Sequence, residues 1–161
     1  MIVVVMGVTG VGKTTVGSML ADQLGWEFAD GDTFHPASNV DKMSRGIPLT
    51  DADRAPWLAA MRSAIERWIS DKKNAVLACS ALKRCYREEL LISPEVRLVY
   101  LRGSYETIAG QLRSRHGHFA TEAILADQFA NLEEPEDAIM IDVGKGPAPM
   151  VAEIRSQLGL P

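Results

Sequence analysis

The sequence predicts an α/β fold in which a parallel five-stranded sheet carries helices on both faces, and three observations predict it. Four apolar runs, residues 2–6, 75–79, 97–101 and 138–141, lack polar alternation, as strands buried on both faces do. Longer stretches with helical spacing separate them, so strand and helix alternate along the chain. A glycine-rich loop stands between the first apolar run and the first helical stretch, where a parallel α/β sheet builds its ligand crevice.

The elements follow in order. Run 2–6 has no basic residue ahead of it and meets Gly7, so it is too short for a signal core or a membrane span. It reads as a strand and the protein as cytoplasmic. A helix is predicted over 13–24, then a short strand over 26–29 and a helix over 36–44. The clearest helix starts near Thr50, with Asp51 and Asp53 in its first turn. Trp57, Met61, Ile65, Trp68 and Ile69 recur along it as one apolar stripe, which reads as core. Strand 75–79, helix 83–91, strand 97–101, helices 105–113 and 121–132, strand 138–141 and helix 149–158 complete the alternation.

With 161 residues the chain suits a single domain, 1–161, large enough to enclose a core. Apolar residues at 47% and charged residues at 24% exclude disorder and coiled coil. Lys and Arg number 17 against 21 Asp and Glu, a balance that argues against nucleic acid as a partner. Charge is uneven: residues 79–115 hold seven Lys or Arg against four acids, whereas 116–142 hold seven acids and no Lys or Arg. A local anion site is therefore expected in the first stretch. Cys79 and Cys85 form no metal-binding pattern or disulfide framework, and Cys79 reads as a small core residue.

Gly7-Val8-Thr9-Gly10-Val11-Gly12-Lys13-Thr14 matches G-x-x-x-x-G-K-[ST], after a strand and opening a helix. Glycines let the backbone curl around a phosphate, and the helix N-terminus adds partial positive charge. Lys13 is expected on the β- and γ-phosphates and the Thr14 hydroxyl on Mg²⁺. These loop residues, with Thr15, form the candidate ATP site of a P-loop NTPase fold. The loop alone does not separate a kinase from a switch or an ATPase.

Asp30-Gly31-Asp32 follows the second strand, at the sheet edge that carries the loop. Phosphoryl transfer to a hydroxyl needs a carboxylate to take the proton and another on the metal side. Asp32 is read as the base and Asp30 as the metal-side group, with the reverse order open. A plain capping turn is the alternative. His35, before Pro36, fits a substrate contact or a cap. Arg54 fits either a bidentate partner for a substrate carboxylate or an ion pair with Asp51 or Asp53. Lys83, Arg84 and Arg87 follow the third strand at spacings that let two share a helix face, and Lys83 and Arg87 are the candidate substrate contacts. Arg113 and Arg115 close a helix ahead of a basic connector suited to folding over the triphosphate, with Arg115 on the transferring charge.

Asp30-Gly31-Asp32-Thr33-Phe34-His35-Pro36 and the stretch from Asn39 to Trp57 closely resemble the bacterial thermoresistant-type gluconokinases. Cys79-Ser80-Ala81-Leu82-Lys83, Tyr86-Arg87, Tyr100-Leu101-Arg102-Gly103, Gly117-His118-Phe119 and Gln128 through Glu133 to Pro135 continue the likeness. Arg84 and Cys85 depart from it. The resemblance implies ATP- and Mg²⁺-dependent phosphorylation of the 6-hydroxyl of D-gluconate, strand order 2-3-1-4-5, a lid around 115–121 and a homodimer. The competing readings are a shikimate kinase, whose acceptor is also a carboxylate, and a nucleotide switch. An N-K-x-D base-recognition motif, expected of a GTPase switch, is missing from the sequence.

Overall fold

The computed structural model describes residues 1–114 and 121–161. The chain alternates β1 (Ile2–Met6), α1 (Lys13–Leu24), β2 (Glu27–Asp30), a single 3₁₀ turn (Gly31–Phe34), α2 (Ala37–Ser44), α3 (Asp51–Ser70), β3 (Ala75–Ala78) and α4 (Arg84–Leu90). It continues with β4 (Val96–Arg102), α5 (Tyr105–Arg113), α6 (Thr121–Asn131), β5 (Ile139–Asp142) and α7 (Pro147–Gln157). The sheet order is β2-β3-β1-β4-β5, with every neighbouring pair parallel, as the resemblance implied. Boundaries shift by one or two residues from expectation; α7 starts at Pro147 because Gly146, at φ 89°, turns the chain and proline suits a first helical position.

β1 is central and wholly buried, which explains its unbroken apolar run. Successive side chains point to opposite faces, so Val3 and Val5 join Val16, Leu20, Ile108 and Ile154 in one core layer. Ile2, Val4 and Met6 join Trp57, Met61, Ile65 and Leu90 in the other. Register places Val4 between Leu77 of β3 and Leu98 of β4, which aligns the carboxyl ends of β1, β2 and β3 along one edge. The α3 stripe is core through Ile65, but Trp68 is only partly buried and its Nε1 donates to Glu27 Oε2 at 2.8 Å, tying α3 to edge strand β2. Apart from Thr121, which opens α6, the lid expected over 115–121 lies outside the described residues, and Arg115 lies there too.

Among the described residues no helix is long and apolar enough to cross a membrane.

Candidate active site

The loop between β1 and α1 is shaped by backbone that only glycine adopts readily. Gly10 sits at φ 79°, and a Cβ there would meet the Leu112 side chain at 2.6 Å. Gly12, at φ 98°, leads into α1 without a side-chain cap, so the first amides of α1 are left for a ligand. Val8 and Val11 bury their side chains in the core, which anchors the loop and leaves only their main chain for phosphate. Lys13 folds back over the loop, its Nζ donating to Val8 O at 2.9 Å. Burial pushes the Lys13 pKa down, and Cys79, Asp32 and Asp30 pull it back.

Asp30, ending β2, bonds both to the loop helix and to the turn that follows it. Its Oδ2 accepts from the Thr14 hydroxyl at 3.2 Å, and its Oδ1 accepts from the Asp32 amide at 3.0 Å. The turn is thus capped by Asp30 and also forms a wall of the cleft, which Asp30 and Asp32 both line. Gly31 allows this approach, because a Cβ there would lie 2.8 Å from Ala78 O. Trp57, reaching over from α3, donates from Nε1 to Gly31 O at 2.8 Å. His35 stacks on Trp57 with ring centroids 4.5 Å apart and planes 9° from parallel. Asn39 Nδ2 donates to Asp53 O at 2.8 Å and faces His35 Nδ1 at 3.2 Å. An amide donor there makes Nδ1 the acceptor and places the ring proton on Nε2. Burial lowers the His35 pKa; nearby Asp32 opposes that and Arg54 adds to it.

Thr9, Gly10, Gly12, Lys13, Thr14 and Thr15 line a cavity of about 230 Å³ together with Asp30, Asp32, Cys79, Ser80 and Gln128. Burial raises the Cys79 thiol to about 12, which fits a core residue rather than a nucleophile. A second, more apolar cavity of about 500 Å³ adjoins it, because Ser80 and Gln128 line both. Arg54, Lys83, Tyr86, Asp127 and Asn131 supply its polar groups, and Ile47 and Leu49 lie on its apolar side. Arg54 Nη1 donates to Leu49 O at 2.9 Å and to the Tyr86 hydroxyl at 3.3 Å, and lies 3.9 Å from Asp51. Lys83 Nζ lies 3.4 Å from the same Asp51 oxygen. Arg54 thus leans on Asp51, as one of its readings expected, and it also lines the cavity. The hydrogen bond from Tyr86, then the charge of Lys83, lower the Asp51 pKa.

Arg87 departs from expectation. It is 6% exposed, and its guanidinium donates to Ala81 O at 2.9 Å, Leu82 O at 3.0 Å and Glu133 O at 2.8 Å. It clamps the turn after β3, where Ala81 has the unusual φ of 45°, to the segment that follows α6. Lys83 stands at the N-cap position of α4 without a side-chain cap, so of the three cations only Arg84 and Arg87, three apart, lie within the helix. Arg84 is exposed and pairs with Glu88 at 3.4 Å. Arg113 ends α5, exposed.

Tyr86 and three residues of α6 were given no role from sequence. Gln128 Oε1 accepts from the Thr9 amide at 2.6 Å. Asp127 and Asn131 share its face of α6, and the i, i+3, i+4, i+7 spacing of Ile124, Asp127, Gln128 and Asn131 was the available signal. Trp57, read only as core, also holds the Asp30–Asp32 turn through Gly31.

A family model described as "Shikimate kinase" matches residues 9–139. A gluconokinase of Gluconobacter oxydans is 50% identical, covering 83% of this chain and 76% of its own. The thermoresistant gluconokinase of Escherichia coli is 41% identical, covering 88% and 84%. The crystal structure of a gluconokinase from Sinorhizobium meliloti superposes with a TM-score of 0.87 at 41% identity, over 98% of this chain and 90% of that one. A phosphate loop, a paired-carboxylate turn and an adjoining cationic cavity on one sheet edge, together with these likenesses over nearly the whole length, show that the chain belongs to the gluconokinase family of shikimate-kinase-like P-loop proteins.

Proposed function

We propose that the protein transfers the terminal phosphoryl group of ATP to the 6-hydroxyl of D-gluconate, yielding 6-phospho-D-gluconate and ADP. The observation that carries this reading is the continuity of a phosphate cradle with a cation-bearing cavity through Ser80 and Gln128. Gluconate is a polyol with a carboxylate at one end and the reacting hydroxyl at the other. Arg54 and Lys83 suit the carboxylate, and Asp32 lies by the phosphate end. The hydroxyl oxygen attacks the γ-phosphorus in line, the bond to the β–γ bridging oxygen breaks, and the hydroxyl proton passes to Asp32. Lys13 and the loop amides hold the phosphates through the transfer.

The Thr14 hydroxyl and the Asp30 carboxylate, 3.2 Å apart, are hard oxygen donors that suit Mg²⁺. These two oxygens would hold the ion, which would supply positive charge to offset that of the transferring phosphates. His35 is the third expected substrate contact, oriented by Trp57 and Asn39. The assignment of Arg115, and of Arg113 beside it, to the transferring charge rests on sequence, as does a homodimer.

The test is ADP release from MgATP with D-gluconate, shikimate, AMP or no acceptor. Stimulation by gluconate alone is expected. If shikimate wins, the acceptor assignment falls; if nothing stimulates, the second cavity is not an acceptor site.

A further inference from the structure

Gln128 links the two cavities by a hydrogen bond that nothing in the proposed reaction uses. It projects from α6, partly buried, and accepts the Thr9 N–H at 2.6 Å across 119 residues of sequence. Thr9 lies on the rim of the phosphate cradle, and through Gln128 that rim meets the acceptor cavity. Thr9 is the loop residue that Gln128 reaches from the wall of the second cavity, so its amide suits the phosphate nearest the acceptor, the terminal one. A terminal phosphate oxygen arriving there competes with a neutral carboxamide oxygen for one donor. The anion wins, because hydrogen bonds to ionised acceptors are roughly twice as strong as neutral ones. The displaced carboxamide carries a donor and an acceptor on the wall of the neighbouring cavity, beside Asp127 and Asn131, where a polyol hydroxyl can take both.

We infer that Gln128 couples the two substrates: it shares the Thr9 amide with the terminal phosphate and, when the phosphate takes that amide, turns its carboxamide to an acceptor hydroxyl. Triphosphate and acceptor then each raise the affinity of the other, by the same factor. This rests on the reading of the second cavity as an acceptor site. The nucleotide half does not.

The experiment is calorimetric titration of the full chain with the Mg²⁺ complex of the non-hydrolysable imido analogue of ATP, with MgADP, and with D-gluconate alone and beside the analogue. In the wild type, gluconate is expected to bind about tenfold tighter beside the analogue, within the usual span of such couplings. In Gln128→Ala that ratio falls to about one while gluconate alone binds within about threefold of wild type, and the analogue gains affinity where MgADP does not. Gln128→Glu keeps the side-chain length and sets a carboxylate against the terminal phosphate. It is expected to weaken the analogue about tenfold and spare MgADP. A coupling ratio that survives in Gln128→Ala overturns the inference. If wild type fails to bind gluconate at all, the acceptor reading falls by itself. The nucleotide arm then decides: a change confined to the triphosphate supports the competition for Thr9, and an equal change for both nucleotides overturns it.

Discussion

Asp32 and Arg87 illustrate how differently two charged residues of one site can act. In the proposed transfer Asp32 receives a proton, so Asp32→Asn keeps the shape of the turn and removes the base. Turnover is expected to fall by about 10²–10⁴, with MgATP binding little changed, as steady-state kinetics beside nucleotide titration will show. Near-normal turnover would give the base role to Asp30. Arg87 instead satisfies three main-chain carbonyls in the interior. Arg87→Met keeps most of its volume but leaves those carbonyls without donors, at a cost on the order of 3 kcal/mol, read by urea unfolding. A raised acceptor KM at unchanged stability would restore Arg87 to the substrate set. From sequence both were read as site residues, because a motif does not say whether a side chain turns toward the cleft or under it.

At the scale of elements, α3 is the support of the acceptor side. Thr50 and Asp53 cap it reciprocally: Thr50 Oγ1 accepts from the Asp53 amide at 3.1 Å, and Asp53 Oδ2 accepts from the Thr50 amide at 2.9 Å. Lys42 of α2 lies 2.9 Å from the same carboxylate, so the cap also joins α2 to α3. The Thr50 amide, then Lys42, hold the Asp53 pKa at about 2, below its ordinary 3.8. A depressed carboxylate contributes stability above its unfolded pKa and loses it as pH falls through the folded one. Part of the acid destabilisation is therefore expected between pH about 4 and about 2, and Asp53→Asn should flatten that part. Urea midpoints at a series of pH values in the wild type and the variant check this; parallel curves would exclude Asp53 as the source. The Thr50 cap was legible in sequence because capping is local. The Lys42 contact was not, since it depends on how α2 folds back.

For the whole molecule, the phosphate cradle and the acceptor cavity are brought together by the sheet. On the proposal that Thr14 and Asp30 hold Mg²⁺, removing the ion with EDTA is expected to abolish gluconate-dependent ADP release, and excess Mg²⁺ to restore it. Full turnover in EDTA would exclude a metal at this pair. Nucleotide at about 100 times its dissociation constant should raise stability by about 2.7 kcal/mol, seen as a higher unfolding midpoint with MgATP than without.

The alternation of strands and helices, the buried β1 and the phosphate loop were determined by the sequence itself. Each is a periodicity or a contiguous motif, and local backbone physics reads those directly. Only the tertiary structure decided that Trp57 pins Gly31, that Arg87 turns inward, and that Gln128 reaches Thr9 from 119 residues away. These are contacts between side chains and distant main chain, made by the packing of α3, α4 and α6 against the sheet edge. Residues far apart in sequence leave no pattern of spacing to announce such meetings.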